Sequence, residues 1–508
     1  MTFNIGNMML TIDVIDILVV ILVILAVLLL SAVIIALLTF AKKPKNVQKT
    51  QPPTEFEKYK YAELLSEMVK CDTVSHRDRP QTKKFEAFQM RLQELFPLLF
   101  EKCAAYDFDK AMLIHWQGKN PSLKPLVLMS HMDVVEATGD WTYEPFSGEI
   151  VDGVIWGRGT VDTKSSLCAF LQAATELLEA GFMPQRDIYF VSSDNEETMG
   201  DGAPKIVEYF KQEGIYPELV LDEGGAIVEK PMPGVKGACA MVGIMEKGYA
   251  DVRFTARSNG GHASTPGKNT PIARLAKLIN HMEKKKMFKR KISKEMVQMF
   301  KSLRVHMSFG YRLIFANLWL FKRLLKGLLP KLSNQAAAMI ATTCAFTMAR
   351  GSGAPNVLPE EASVVANLRF IRHQNREKSL AKIKKVAEKY DVEMEVLYSQ
   401  DCSPVVDTKT RGFQYIQQCI ERNFEGVHVA KYIMTGCTDS RHFKDITDCT
   451  IRFSPIRLNA QQLASVHGID ENVSMDALAY GVKFYKDFMA HYDGEEIEKD
   501  RKTAQPEQ

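Results

Sequence analysis

Three short, wholly apolar runs, Leu126–Met129, Ile188–Val191 and Leu219–Leu221, each give way within a few residues to carboxylates or imidazoles. Runs this short, without polar alternation, read as strands covered on both faces, the pattern of a parallel sheet with helices on either side. In open α/β sheets the strand ends are where ligands and ions collect. SHMDVV places His131 and Asp133 after the first run, SSDNEETMG places Glu196 and Glu197 after the second, and LVLDEGG places Asp222 at the end of the third. GRGTVDTK adds Asp162, and SVHGIDENV, far downstream, adds His467. Hard oxygen donors with imidazole, and no Cys at these positions, suit zinc or a similar divalent ion.

Singly, each frame has an ordinary explanation: a surface His–Asp pair, a solvated helix start, an acidic turn, a packed histidine. Their succession in one chain is what carries weight. In that order they resemble the aminoacylase, carboxypeptidase S and succinyl-diaminopimelate desuccinylase group of co-catalytic zinc hydrolases, over roughly residues 55–490. The resemblance implies two Zn2+ per chain, with Co2+ or Mn2+ as alternatives. His131 and Asp222 would hold one ion, Glu197 and His467 the other, and Asp162 would bridge them. Asp133 would orient His131, and Glu196 would be the general base. Two ions some 4 Å apart share a ligand, and a carboxylate has two oxygens to share.

The resemblance also assigns a smaller inserted unit. NGGHASTPG contains His262, whose counterpart in related dimers completes the partner's active site, so a homodimer is expected. Asn356 in NVLP and Arg369 in NLR match a pair that binds a substrate carboxylate, and a guanidinium fork suits that task. TGCTDSRHF resembles a loop near the active site, in which Gly436 and Thr438 would shape the pocket and Cys437 would not act as a nucleophile.

A chain of 508 residues exceeds a single core. The expected organisation is an N-terminal membrane anchor over 1–45, a linker over 46–54, a catalytic unit over 55–246 and 401–492, a lid and dimerisation unit over 247–400, and a disordered tail over 493–508. The fold class is therefore α/β with a mostly parallel sheet, plus an inserted α+β unit and one transmembrane helix. Ile17–Phe40 runs 24 residues without a charge, broken only by Ser31 and Thr39. That is about 36 Å of helix, enough to cross a bilayer. Asp13 and Asp16, rather than Lys or Arg, precede it, which favours a retained anchor over a cleaved signal peptide. Lys42, Lys43, Lys45 and Lys49 follow it, so the positive-inside tendency puts the catalytic unit in the cytoplasm. The nine scattered Cys, with no CxxC pair, agree with a reducing compartment.

Net charge is only +4, which gives no whole-chain signal for nucleic acid. The segment from Lys284 to Lys331 stands apart, with fourteen Lys or Arg against one acid, Glu295, a net +13 that leaves −9 elsewhere. Phe309, Trp319, Phe321 and several Leu interleave these cations, so an amphipathic element lying on a lipid bilayer is expected there. The expected activity is hydrolysis of an amide beside a free carboxylate, on N-acyl amino acids or short dipeptides. A narrow deacylase of a biosynthetic intermediate and a catalytically inactive membrane scaffold are the rival readings.

Overall fold

The computed structural model describes residues 2–5, 8–11, 14–39, 49–77, 82–284 and 287–494. Lys42, Lys43 and Lys45, on which the expected orientation rests, lie outside these residues, as does almost all of the tail.

The three apolar runs form adjacent parallel strands. Leu126–Met129 lies between Ile188–Ser192 and Leu219–Asp222, and Thr450–Arg452 extends the parallel set. Successive side chains on a strand point to opposite faces. Leu126 and Leu128 face a core built with Leu65, Phe170 and Phe484, from the helices Glu55–Val69, Lys164–Glu179 and Met475–His491. Val127 and Met129 face a second core containing Ile206, Phe210 and Phe443. Because helices cover both faces, the strands carry no polar alternation. Antiparallel strands Ala111–Trp116 and Ala104–Phe108 extend one side of this ten-stranded mixed sheet, and Ala238–Glu246, with its partners, extends the other.

At Gly248 the chain leaves this sheet and builds a second one, four-stranded and antiparallel, ordered Thr343–Arg350, Glu361–Phe370, Gly248–Arg257, Glu393–Gln400. Ala366, Leu368 and Phe370 pack against Leu275, Leu278 and Ile383 of helices Pro271–Lys284 and Arg376–Lys389. By alternation, Asn367 and Arg369 occupy the opposite face, level with Asp251 and Tyr249 of the neighbouring strand.

The basic segment departs from its expected place in the lid. It folds into helices Lys294–Leu303, Phe309–Ala316 and Leu318–Leu332, with the short helix Asn334–Ala338 following. Met296, Phe300, Phe315 and Leu325 pack onto Cys239, Met241, Met245 and Ile433 of the large sheet. The reason is visible in strand Ala238–Glu246, which is buried at every position and needs cover on both faces. Helix Val14–Leu38 is long and apolar enough to cross a membrane.

Candidate active site

His131 and Asp133 lie just past the end of strand Leu126–Met129, both buried. His131 Nδ1 is 2.9 Å from the Asp133 carbonyl and 3.3 Å from its Oδ1, which aims Nε2 at Asp162 Oδ1, 3.1 Å away. Asp133 also accepts the backbone N–H groups of Glu196 and Glu197, at 3.1 and 3.0 Å, and the Ser75 hydroxyl at 2.7 Å. One carboxylate therefore fixes the imidazole and the two glutamates together, a wider role than orienting His131 alone.

Asp162 stands on a loop that Glu471 grips from below. Glu471 accepts N–H bonds from Gly159, Val161 and Asp162 and pairs with buried Arg158 at 2.6 Å. Strand Asn472–Ser474, paired with Val154–Trp156, holds these two segments together and so brings His467 back to Asp162. His467 Nε2 lies 2.9 Å from Asp162 Oδ2 and 3.1 Å from Glu197 Oε1, with its backbone at φ +59°. Asp162 thus turns one oxygen to each imidazole.

Two groups of donor atoms, each within 4.8 Å of one another, result: His131, Asp162 and Glu223, and Asp162, Glu197 and His467. The first group contains Glu223, where the resemblance implies its neighbour Asp222. Asp222 lines a small inner cavity beside His131 and Glu196, with Oδ1 accepting the Glu223 N–H at 2.9 Å and Oδ2 accepting the Ser440 N–H at 2.8 Å. Adjacent residues at a strand end point to opposite sides, so the DEGG motif offers one acid to the cleft and one to the scaffold. The adjacent pair was visible in the sequence, but its orientation was not.

The charges are mutually dependent. Burial opposes ionisation of Asp162, yet hydrogen bonds from His131 and His467 outweigh it and pull the carboxyl below the usual range. Bonds to Asp162 and Glu197 push the His467 imidazole up to about 10. Burial raises Glu197, with the Asp162 charge adding to it, and raises Glu223 well above the ordinary range, with Asp162 and Asp222 adding. Glu196, 9% exposed, is also driven well upward by burial and then by Asp439; His131 and Arg441 pull the other way, Arg441 with Nη1 3.3 Å from Glu196 Oε1. This is a set of crowded acids shared between two imidazoles, a donor set that divalent cations fit.

Asp162, Glu196, Glu197, Glu223 and His467 open into one cavity of about 370 Å3, together with Arg369, Gly436 and Thr438. Its remaining walls include Tyr249, Tyr432 and Met434. The Arg369 guanidinium lies 4.5 Å over the Tyr249 ring, donates through Nε to Asn367 Oδ1 at 3.2 Å, and approaches Cys437 Sγ at 3.5 Å. Burial pushes the Cys437 thiol up to about 11, which keeps it protonated. Thr438 donates to Glu246 through N–H and hydroxyl, at 2.6 and 2.8 Å, and Glu246 pairs with Arg452 at 3.0 Å, so a buried ion pair positions this loop. Asp439 and Arg441 of the same loop were missed, although TDSR lies in a motif already singled out.

His262 and Asn356 are not among the cavity walls. Both are exposed, His262 on a ribbon formed by Gly261–His262 and Val357–Leu358 and Asn356 in the turn just before Val357, and the His262 ring bonds Ser264 Oγ at 2.7 Å.

The sequence profile of Peptidase family M20/M25/M40 matches residues 127–491. The chain is 33% identical over 454 residues to the N-fatty-acyl-amino acid synthase/hydrolase PM20D1 of Xenopus tropicalis, covering 87% of this chain and 88% of that protein. It is 31% identical over 473 residues to a probable carboxypeptidase S-like protein of Dictyostelium discoideum, covering 90% and 91%. In fold it resembles the di-peptidase Dug1p of Saccharomyces cerevisiae, with TM-score 0.66 at 14% identity over 87% of this chain and 98% of that one. It likewise resembles an M20 family metallo-carboxypeptidase of Sulfolobus solfataricus, with TM-score 0.64 at 17% identity over 86% and 99%. Parallel strands that deliver acids and imidazoles to one cleft, and sequence likeness across most of the chain, lead to one conclusion: this protein belongs to peptidase family M20/M25/M40 and is a hydrolase.

Proposed function

We propose that this chain is a membrane-anchored dinuclear zinc hydrolase that cleaves the amide bond of N-acyl amino acids, with short dipeptides as the neighbouring substrate class. The observation that carries the reading is the meeting of three features in one cavity: a carboxylate shared between two donor groups, a buried glutamate beside it, and a guanidinium on the facing wall. His131, Asp162 and Glu223 would hold one ion, and Asp162, Glu197 and His467 the other. Such ions supply Lewis acidity at the scissile carbonyl and at the attacking water.

The chain's own side chains do the rest. Glu196 accepts the water's proton and returns it to the leaving nitrogen, for which burial has raised its basicity. Arg369, stiffened by Tyr249 and Asn367, recognises the free carboxylate. Tyr249, Tyr432 and Met434 offer apolar surface for the acyl part. Relatives named for N-fatty-acyl amino acids and for carboxypeptidase S support this pair of substrate classes.

Arg369→Ala is expected to weaken kcat/KM on N-acyl amino acids by about 2–4 kcal/mol, the scale of a lost charge-assisted contact. Comparing free acids with their amides in wild-type protein checks the cause. Equal cleavage of both by the wild type would remove the carboxylate clamp from the account.

The exposed positions of His262 and Asn356 fit residues that serve a second copy. If His262 acts across a homodimer, mixing inactive His262→Ala with inactive Glu196→Gln protein restores activity, since a hybrid holds one complete site. Absence of recovery, with subunit exchange confirmed by differently tagged chains, would confine His262 to its own chain or to no role.

A further inference from the structure

We infer that the helical insert is a membrane wedge, docked on the anchor helix within one leaflet and presenting a leucine face to the acyl chains. The inference rests on the reading that helix Val14–Leu38 crosses a bilayer. The anchor and the insert meet along the last two turns of that helix. Ala32 and Ala36, one turn apart, are fully covered, whereas most of the helix is bare. Small residues at this spacing let two helix backbones approach closely. Arg312 Nη1 bonds the Thr39 carbonyl at 3.0 Å, and Asn317 Nδ2 bonds the Ala32 carbonyl at 2.9 Å.

These two bonds act as a depth gauge. Thr39 lies one residue before the end of the apolar run, and Ala32 lies seven residues back, about 10 Å further along the helix axis. From Arg312 to Asn317 the insert therefore descends beside the anchor by that distance. If the docked turns stood clear of the bilayer, only Ile17–Ser31 would remain to span it. That is about 22 Å of helix, short of the ~30 Å hydrocarbon core. The docked turns therefore lie within the membrane, and the insert goes in with them.

The side chains at that depth are arranged for it. Asn317, fully buried, donates to Ala32 and Leu313 carbonyls and accepts from Trp319 Nε1 at 3.1 Å, so neither the Asn317 amide nor the Trp319 indole faces hydrocarbon unpaired. In helix Leu318–Leu332, Leu318, Leu325 and Leu329 pack against the protein. Leu320, Leu324, Leu328 and Leu332, at four-residue spacing, form a separate exposed arc, with Leu324 60% and Leu332 66% exposed. Lys322, Arg323 and Lys326 leave the helix on its remaining side and Lys331 leaves it beside the arc in the last turn, and their long stems reach an anionic headgroup layer. A water-facing helix has no use for such an arc. The wedge also touches the catalytic cavity, since Tyr432 packs on the insert and lines the cavity.

The test uses the full chain in vesicles of phosphatidylcholine and phosphatidylserine, with matched vesicles whose acyl chains are brominated. The Trp319 signal is the emission difference between wild type and Trp319→Phe, a substitution that leaves the cavity untouched. The wedge predicts that brominated chains remove most of this difference and that acrylamide in the buffer barely reduces it. Retention of the protein through carbonate washing, with the difference insensitive to bromine and open to acrylamide, would overturn the wedge while keeping the anchor. Release by carbonate would overturn both.

Discussion

Glu196→Gln lowers turnover by at least ~10²-fold, the usual share of a general base, while the metal content of the protein stays unchanged. Gln keeps the shape and the hydrogen bond from the Arg441 guanidinium but cannot take a proton. The neighbouring ligand position is untouched, because Asp133 holds the backbone of Glu196 and Glu197 through their N–H groups rather than through the side chains. Steady-state kinetics and metal analysis on the same preparation check this. If Glu196→Gln empties the site, the roles of the two glutamates are exchanged.

A larger loss is expected from Asp162→Ala. Both donor groups contain Asp162, so its removal takes a ligand from each ion at once. Turnover should fall by more than ~10⁴-fold, since the ions' Lewis acidity and the proton transfer that depends on it disappear together. The fold should survive. Glu471 holds this loop through the N–H groups of residues 159, 161 and 162, and all three remain in the variant. Unchanged circular dichroism with both ions absent is the expected pair of observations. Retention of both ions would remove Asp162 from the bridging position.

What the sequence could disclose follows from where each determinant resides. The central strands were legible because helices cover both their faces, and that requirement is written into Leu126–Met129 and its neighbours as unbroken apolar runs. His131, Asp162, Glu197 and His467, whose donor atoms the fold brings together, each stand in a motif that the sequence displays. That Glu223 groups with His131 and Asp162 was not legible, because it depends on which way a strand end points, and both orders place acid after an apolar run. Glu471 and Arg158 stood inside motifs already singled out, yet their pairing joins segments 313 residues apart and appears only once strand Asn472–Ser474 is seated. The basic insert announced its amphipathic character, but the surface that receives it, Cys239, Met241 and Met245, is one face of a distant strand. The short ribbon under His262 is held by a pair of strands two residues long, too little for any periodic signal.

The central claim is a two-ion site built from His131, Asp162, Glu197, Glu223 and His467, with Asp222 as scaffold. Divalent metal content per chain, measured on the wild type, Glu223→Gln and Asp222→Asn, tests it most directly. The account predicts about two ions in the wild type, as in co-catalytic sites, about one in Glu223→Gln, and about two in Asp222→Asn, where the amide oxygen still accepts an N–H. A wild-type protein without divalent metal that hydrolyses at full rate, or loss of an ion from Asp222→Asn but not from Glu223→Gln, would contradict it.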